Sequence, residues 1–251
     1  MILEANILQP LIDVANSVLK FFHDNAGFSW GLSIIFLTFV TRAVLIPLTY
    51  RQLKGMRALQ ALQPQLKEIQ EKYKNDRQRM QQEMMRFYQQ NKVNPFSACI
   101  PLIAQLPVFI ALFYLLRHEL PADMGCAANH CSNQGGQFWF IHDLTAKATG
   151  AELVILLVLY VTTMMASSLV MMVTTDTSQR AMMFILPLIF VPIIINFPAG
   201  LVLYWITTNV WTIGQQYVIQ RVVPAPAVPT PEQARAAKPP PPPPRKRKRR
   251  R

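Results

Sequence analysis

Apolar runs of about 17 to 23 residues recur along this chain, and each is long enough to cross a hydrocarbon core roughly 30 Å thick. Five are read here, at about 29–50, 94–116, 151–173, 181–197 and 200–219 of the 251 residues. No other feature narrows the fold as far. In hydrocarbon every backbone polar group must find its partner within the protein, so runs of this length are helices. Charged residues make up only 15% of the chain, against about 25% in an ordinary soluble domain. A soluble globular enzyme is therefore excluded. Three cysteines are too few for a disulfide-built secreted domain. The expected fold class is an all-α polytopic membrane protein with a five-span helical core.

Charge placement sets the topology. Residues 51–92 carry ten Lys/Arg against four acids, and residues 221–251 carry ten against Glu232 alone. Basic loops stay on the cytoplasmic side. With five spans the termini lie on opposite faces, so the 51–92 loop and the basic tail both fall inside. The N-terminus, with Glu4, Asp13 and Asp24 against Lys20, falls outside, as does the loop at 118–150. The first 27 residues lack the basic start of a signal peptide, and Pro10 interrupts their apolar stretch. Leu8, Leu11, Ile12, Ala15, Val18, Leu19 and Phe22 share one helical face, opposite Asp13, Asn16 and Lys20. That pattern fits an amphipathic interfacial helix on the outer membrane surface, or equally a helix packed on other protein.

The spans carry polar side chains at helical spacing. Arg42 lies roughly 12 Å inside the cytoplasmic end of the first span, counting 1.5 Å per residue back from Tyr50. Such a charge costs about 2.5–3.5 kcal/mol on insertion scales. Snorkelling to the headgroups is the simple alternative. Against it, Thr38, Arg42 and Thr49 share a face, and no span offers a carboxylate at matching depth. Pro47 also leaves the carbonyl of Ala43 without a helical donor. A lone cation beside a free carbonyl calls for water, and water calls for a cavity. Ser97, Pro101 and Gln105 align in the second span, and Thr163, Ser167 and Thr174 in the third. Thr208, Asn209, Thr212 and Gln216 form a stripe with Trp205 in the fifth. A Ser or Thr often bonds only its own backbone, whereas an amide cannot satisfy all its donors on one helix. Arg42, Gln105, Asn209 and Gln216 together point to one polar pocket open to the cytoplasm.

Between the first two spans, Leu59, Leu62, Leu66, Ile69 and Tyr73 repeat at alternating steps of three and four, a coiled-coil seam. Met80, Met84, Phe87 and Asn91 continue a similar stripe after Asn75–Asp76, which reads as a turn. Residues 53–92 are therefore expected to form a cytoplasmic helical hairpin, with Pro64 starting its main first segment. Its seam holds the hairpin together, or its Met80, Met84 and Met85 offer an adaptable apolar surface to partners; the spacing fits both. No nucleophile elbow, phosphate loop or H-E-x-x-H motif occurs. Cys126, His130 and Cys131 form a weak metal-ligand pattern; a Cys126–Cys131 disulfide suits an outer loop better.

Three long segments resemble the YidC/Oxa/Alb family of membrane protein insertases. They are Gly31 to Arg42 followed by Ile46-Pro-Leu-Thr49, Asn94 to Phe109, and Phe197 to Asn209. Trp139-Phe-Ile-His-Asp-Leu-Thr145 in the outer loop also fits. The resemblance covers about residues 8–221. It implies a hydrophilic groove open to cytoplasm and lipid, a groove arginine at Arg42 with Thr38 beside it, and Trp205 facing the substrate path. Gln105, Ser167 and Asn209 complete the candidate groove. It further implies a multi-pass protein of the bacterial plasma membrane that is not an enzyme and takes nascent membrane proteins as substrates, alone or beside the Sec translocon. Unlike the larger members, the chain shows no extra first span, large outer domain or lipoprotein-type signal, so its N-terminus is expected to stay attached. Channel, transporter or lipid scramblase activity through the same pocket is the rival reading. No internal repeat supports a transporter.

From residue 222 onward the chain is expected to be a disordered tail, with Pro239–Pro244 ahead of Arg245, Lys246, Arg247, Lys248, Arg249, Arg250 and Arg251. Six consecutive prolines favour an extended spacer. The basic end suits ribosomal RNA or anionic lipid.

Overall fold

The computed structural model describes residues 2–91, 93, 100–127, 130–171, 185 and 188–222. Among these the regular structure is helical, and the only extended pairing is two isolated bridges, Phe138 with Ile141 and Lys147 with Pro198. The main helices are α1 (Ile2–Lys20), α2 (Trp30–Val44), α3 (Ile46–Ala61), α4 (Gln63–Lys72) and α5 (Arg77–Gln90). They continue as α6 (Ile100–Tyr114), α7 (Leu120–Asp123), α8 (Gly150–Met171), α9 (188–194) and α10 (Ala199–Val222).

Among the described residues one helix, over Gly150–Val170, is by itself long and apolar enough to cross a membrane. The expected continuous first span is broken. α2 stops at Val44, and α3 leaves it at 56°. The physical reason is Pro47, whose ring opposes the carbonyl of Ala43 and which has no N–H to offer it. Just past the break, Thr49 donates its hydroxyl to the Leu45 carbonyl at 3.1 Å. Taken together, the bent pair also passes as a span. α10 has 24 residues, but Thr207, Thr208, Asn209, Gln215 and Gln216 make it too polar to pass on composition. The start of the second apolar run and much of the fourth fall outside the described residues.

α10 packs between α2 and α8, and α1 lies across α6 and α2. Their shared core holds Ile34 and Leu37 of α2, Leu112 of α6, Leu156 and Tyr160 of α8, and Leu201 and Tyr204 of α10. α1 contributes Ile12, Ala15 and Leu19, while its Leu11 and Val14, and Phe21 just past its end, are exposed. The helix therefore has two adjoining apolar faces rather than one. Lys20 at its end pairs with Asp123 of α7 at 2.6 Å. That hydrogen bond holds the ammonium pKa above its ordinary value.

Two further regions sit at opposite ends of the bundle. Residues 120–127 and 130–150 form a cap. α3, α4 and α5 form an arm, in which Asp76 caps α5 by accepting from the Arg79 N–H at 3.0 Å. α4 packs on α5, with Leu62 and Leu66 the buried apolar residues.

Candidate functional site

Arg42 lies in the last turn of α2, just before the bend. Eleven residues separate it from Gly31, which touches the cap, or about 16 Å along the helix axis. Its Nε is buried and has no hydrogen-bond partner among the described residues. None of the ion pairs among the described residues includes it. Among the described residues, Tyr204 is near enough to act electrostatically on the guanidinium. Tyr204 is fully buried on α10, and its hydroxyl accepts the side-chain amide of Gln105 from α6 at 2.5 Å. Three helices thus converge on one phenol.

One turn further along α10, Asn209 donates its amide to the Thr163 hydroxyl of α8 at 3.3 Å. The amide is a group that one helix alone cannot satisfy, whereas the Thr163 hydroxyl also donates to the Leu159 carbonyl of its own helix at 2.7 Å. Thr208 lies beside Asn209, its hydroxyl buried without a partner. Trp205 is half-buried at the centre of an aromatic group, with ring centroids 5.0 Å from Phe109, 5.9 Å from Tyr160 and 6.3 Å from Phe197.

The remaining candidates behave differently. Thr38 is fully buried and donates to its own helix at the Ile34 carbonyl, 2.7 Å away. Ser167 likewise bonds back to Met164 at 2.9 Å. Both neighbour the polar group without a side-chain bond across the bundle. On the arm, Met80 and Met84 are half-buried and Met85 is exposed. Ser97, Thr174 and the basic cluster from Arg245 to Arg251 lie outside the described residues.

Two participants were missed in the sequence. Tyr204 stands one step of four before Thr208, so extending the polar stripe backwards reaches it. Its place in an apolar, aromatic stretch hid it. The second is Gln215. Its Oε1 accepts the Trp211 indole N–H at 3.0 Å, and its Nε2 donates to the Thr49 hydroxyl at 2.7 Å. Thr49 then passes its own proton to the bend carbonyl of Leu45. This chain of donors ties α10 to the start of the arm. No periodicity within one helix contains a bond between residues 166 positions apart.

The cap end is closed. Ala199 and Gly200 at the start of α10 donate their N–H groups to the carbonyls of Ala146 and Leu144 at 2.8 and 2.9 Å. A Cβ at Gly200 would stand 2.9 Å from that Leu144 oxygen, so only glycine allows the approach. Asp143 accepts from the Cys131 N–H, the Thr145 N–H and the Thr145 hydroxyl at 2.7–2.8 Å. Cys126 and Cys131 form a disulfide, which removes them as metal ligands. A polar pocket of about 390 Å³ opens beside them, lined by His130, His142, Asp143, Lys147 and Glu152 among others. Among the described residues no group of three or more His, Cys, Asp or Glu is placed to hold a metal ion.

Comparison with known proteins adds a separate line of support. The family model described as "60Kd inner membrane protein" matches residues 21–226. A relative from Streptomyces avermitilis, named membrane protein insertase YidC, is 36% identical over 82% of this chain and 55% of its own length. A protein of the same name from Geobacter sulfurreducens is 38% identical over 82% of this chain and 36% of its own length. A solved structure described as an active YidC insertase with its first transmembrane domain resolved superposes with a TM-score of 0.65 at 25% identity. The match covers 85% of this chain and 46% of that one. The chain thus spans about a third to about half of the length of these proteins.

Proposed function

The chain belongs to the 60Kd inner membrane protein family, and from that membership we propose that it is a membrane protein insertase of the bacterial plasma membrane. Its relatives carry that name. In this reading five spans form the core, with the N-terminus outside and the C-terminus inside. α1 lies along the outer surface, and the arm of α3 to α5 stands in the cytoplasm.

The observation that carries the reading is Arg42. It is a cation with a buried, unpartnered Nε, next to Tyr204 and Gln105, at the end of the bundle away from the closed cap. A permanently unpaired guanidinium in hydrocarbon would be expelled. One in a wet recess is available to bind. The buried Thr208 hydroxyl and the Asn209–Thr163 pair extend polar surface along the same helices. Such a recess takes the short hydrophilic tail of an incoming membrane protein partway across without stripping its water. Arg42 attracts acidic groups on that tail. Trp205 and its aromatic neighbours offer a surface for the apolar segment that follows. That segment leaves sideways into lipid, where burial of apolar surface at about 25 cal/mol per Å² drives release. No covalent step is needed, so the proposed role is not enzymatic.

The substrates are nascent membrane proteins, received alone or beside the Sec translocon. Met80, Met84 and Met85 on the arm offer them a first apolar contact. The basic end of the chain, Arg245 to Arg251, meets ribosomal RNA or anionic lipid. Channel, transporter or scramblase activity through the same recess is not favoured, since the cap end is tied shut by backbone bonds.

The test is insertion into vesicles containing the purified full chain, with a panel of single-span substrates whose tails differ in acidic content. Arg42→Lys is expected to keep most activity. Arg42→Ala should lose about tenfold or more on acidic tails, since a charge-assisted contact is worth roughly 1.5–3 kcal/mol, and little on neutral ones. Equal insertion of acidic tails by the alanine variant removes Arg42 from the mechanism.

A further inference from the structure

Among the described residues Trp139 is the one non-glycine residue with a positive φ, at 53°. It is also 89% exposed, the most open of the large apolar side chains. Both properties are unfavourable by themselves. The left-handed region crowds a Cβ, and a bare indole wastes apolar surface. Yet the surrounding structure enforces both. Phe138 and Ile141 exchange backbone hydrogen bonds at 2.9 and 2.8 Å, closing a two-residue turn with Trp139 at its tip. Ile141 is buried in the core. The Phe138 ring covers Gly31, so closely that a Cβ there would fall 2.1 Å from the ring. Asp143, two residues on, is fixed by its three accepted hydrogen bonds. The turn is a rigid mount, and what it presents is one tryptophan.

We infer that Trp139 seats the cap in the headgroup layer of the bilayer. The inference rests on the proposed membrane spans. Phe138 touches the first turn of α2 at Gly31, the His142 N–H bonds Glu152 in the first turn of α8, and Leu144 accepts from Gly200 in the first turn of α10. Residues on both sides of Trp139 therefore mark the level at which three helices begin. A ring leaving the protein at that level enters the zone between acyl chains and water. Tryptophan is favoured there because its face is apolar and its N–H is polar. Phe140 stands beside it, at 5.1 Å between ring centroids. The contact suits a fluid layer better than a folded partner. One indole covers roughly 150–250 Å², whereas a stable protein interface needs about 1,000 Å² or more.

The experiment uses the full chain in phosphatidylcholine–phosphatidylglycerol vesicles. The emission of wild type minus that of Trp139→Phe isolates this one indole, and the conservative variant keeps the fold. Lipids brominated high on the acyl chain should quench the difference emission, and aqueous iodide should leave most of it. Val158→Trp in the Trp139→Phe background serves as the reference, because Val158 is an exposed residue in the middle of α8. If bromolipid quenches the Val158 probe while iodide alone quenches Trp139, the indole sits in water and the inference fails. Shielding of Trp139 from both quenchers means that protein covers it, and the inference fails again. If bromolipid reaches neither probe, the span reading fails with it.

Discussion

The cap and the arm, at opposite ends of the bundle, are opposite in construction. The cap is short on helix and rich in ties: a disulfide, a carboxylate accepting three hydrogen bonds, and two backbone bonds onto α10. It also tolerates a strained Trp139 φ, which costs about 1–2 kcal/mol. The arm is nearly all helix, yet α5 has no buried residue. Its ion pairs, Arg79–Asp76 and Arg86–Glu83, are local and exposed, so each adds little. Helical content is thus no guide to rigidity here. Side-chain and backbone contacts to the bundle decide it. The bundle is pinned at one end and carries a lightly held appendage at the other. The one-sided recess proposed above would need this contrast: a floor that does not open and an entrance flanked by an element with few ties.

Substitutions break or sharpen this contrast in a graded way. The largest effect is expected at the cap. Gly31→Val must displace the Phe138 ring at its root, so overpacking should cost about 3 kcal/mol or more. Met85→Ala on the arm should stay within about 0.5 kcal/mol. Thermal unfolding in detergent reads both, and equal losses would erase the distinction between the two ends.

An intermediate effect is expected where arm and bundle meet. Gln215→Leu removes the bonds to Thr49 and Trp211, with a loss of about 1 kcal/mol. Hydrogen exchange should speed up over residues 46–52 and stay unchanged over the cap. Faster exchange in the cap instead would mean that the two ends are coupled through α10.

The smallest effect concerns the tie between α1 and the cap. Asp123→Asn should cost less than about 1 kcal/mol, because the Lys20–Asp123 pair is partly exposed. Its pH dependence has a definite sign. The Lys20 pKa is raised on folding, so the pair's contribution is complete below the ordinary lysine value. It fades only as pH rises beyond that into the folded-state range. A stability scan from neutral to strongly alkaline pH should show the wild-type advantage over Asp123→Asn shrinking only at the alkaline end. An advantage already lost near neutrality would exclude the assigned pair.

Legibility in the sequence followed the range of the interaction. Helices were readable because apolar run length and the 3.6-residue period are local. Gln105 and Asn209 were readable as unusual because an amide in an apolar run needs a partner elsewhere. Which partner was not readable. Gln105 meets Tyr204 and Asn209 meets Thr163, and each pairing depends on how two helices rotate about their axes. Thr38 and Ser167 show the converse. Spacing placed Thr38 with Arg42 and Ser167 with Thr163, yet each hydroxyl bonds its own helix, as a β-hydroxyl readily does.

Run length, charge bias and proline placement by themselves determined the helical class and the membrane-length apolar runs, since all three act on neighbours in the chain; the family resemblance rested on the particular residues of 31–49, 94–109 and 197–209. Pro47 was visible as a flaw in the first apolar run. That the flaw becomes a 56° bend, held by a glutamine from α10, was decided in three dimensions. So was the cap, where Gly31, Gly200 and Trp139 derive their roles from contacts with Phe138, with the Leu144 carbonyl and with the turn that holds a positive φ. A glycine in a sequence records only that a side chain is absent. What occupies the vacated space depends on a distant segment, and chain folding alone brings that segment into place.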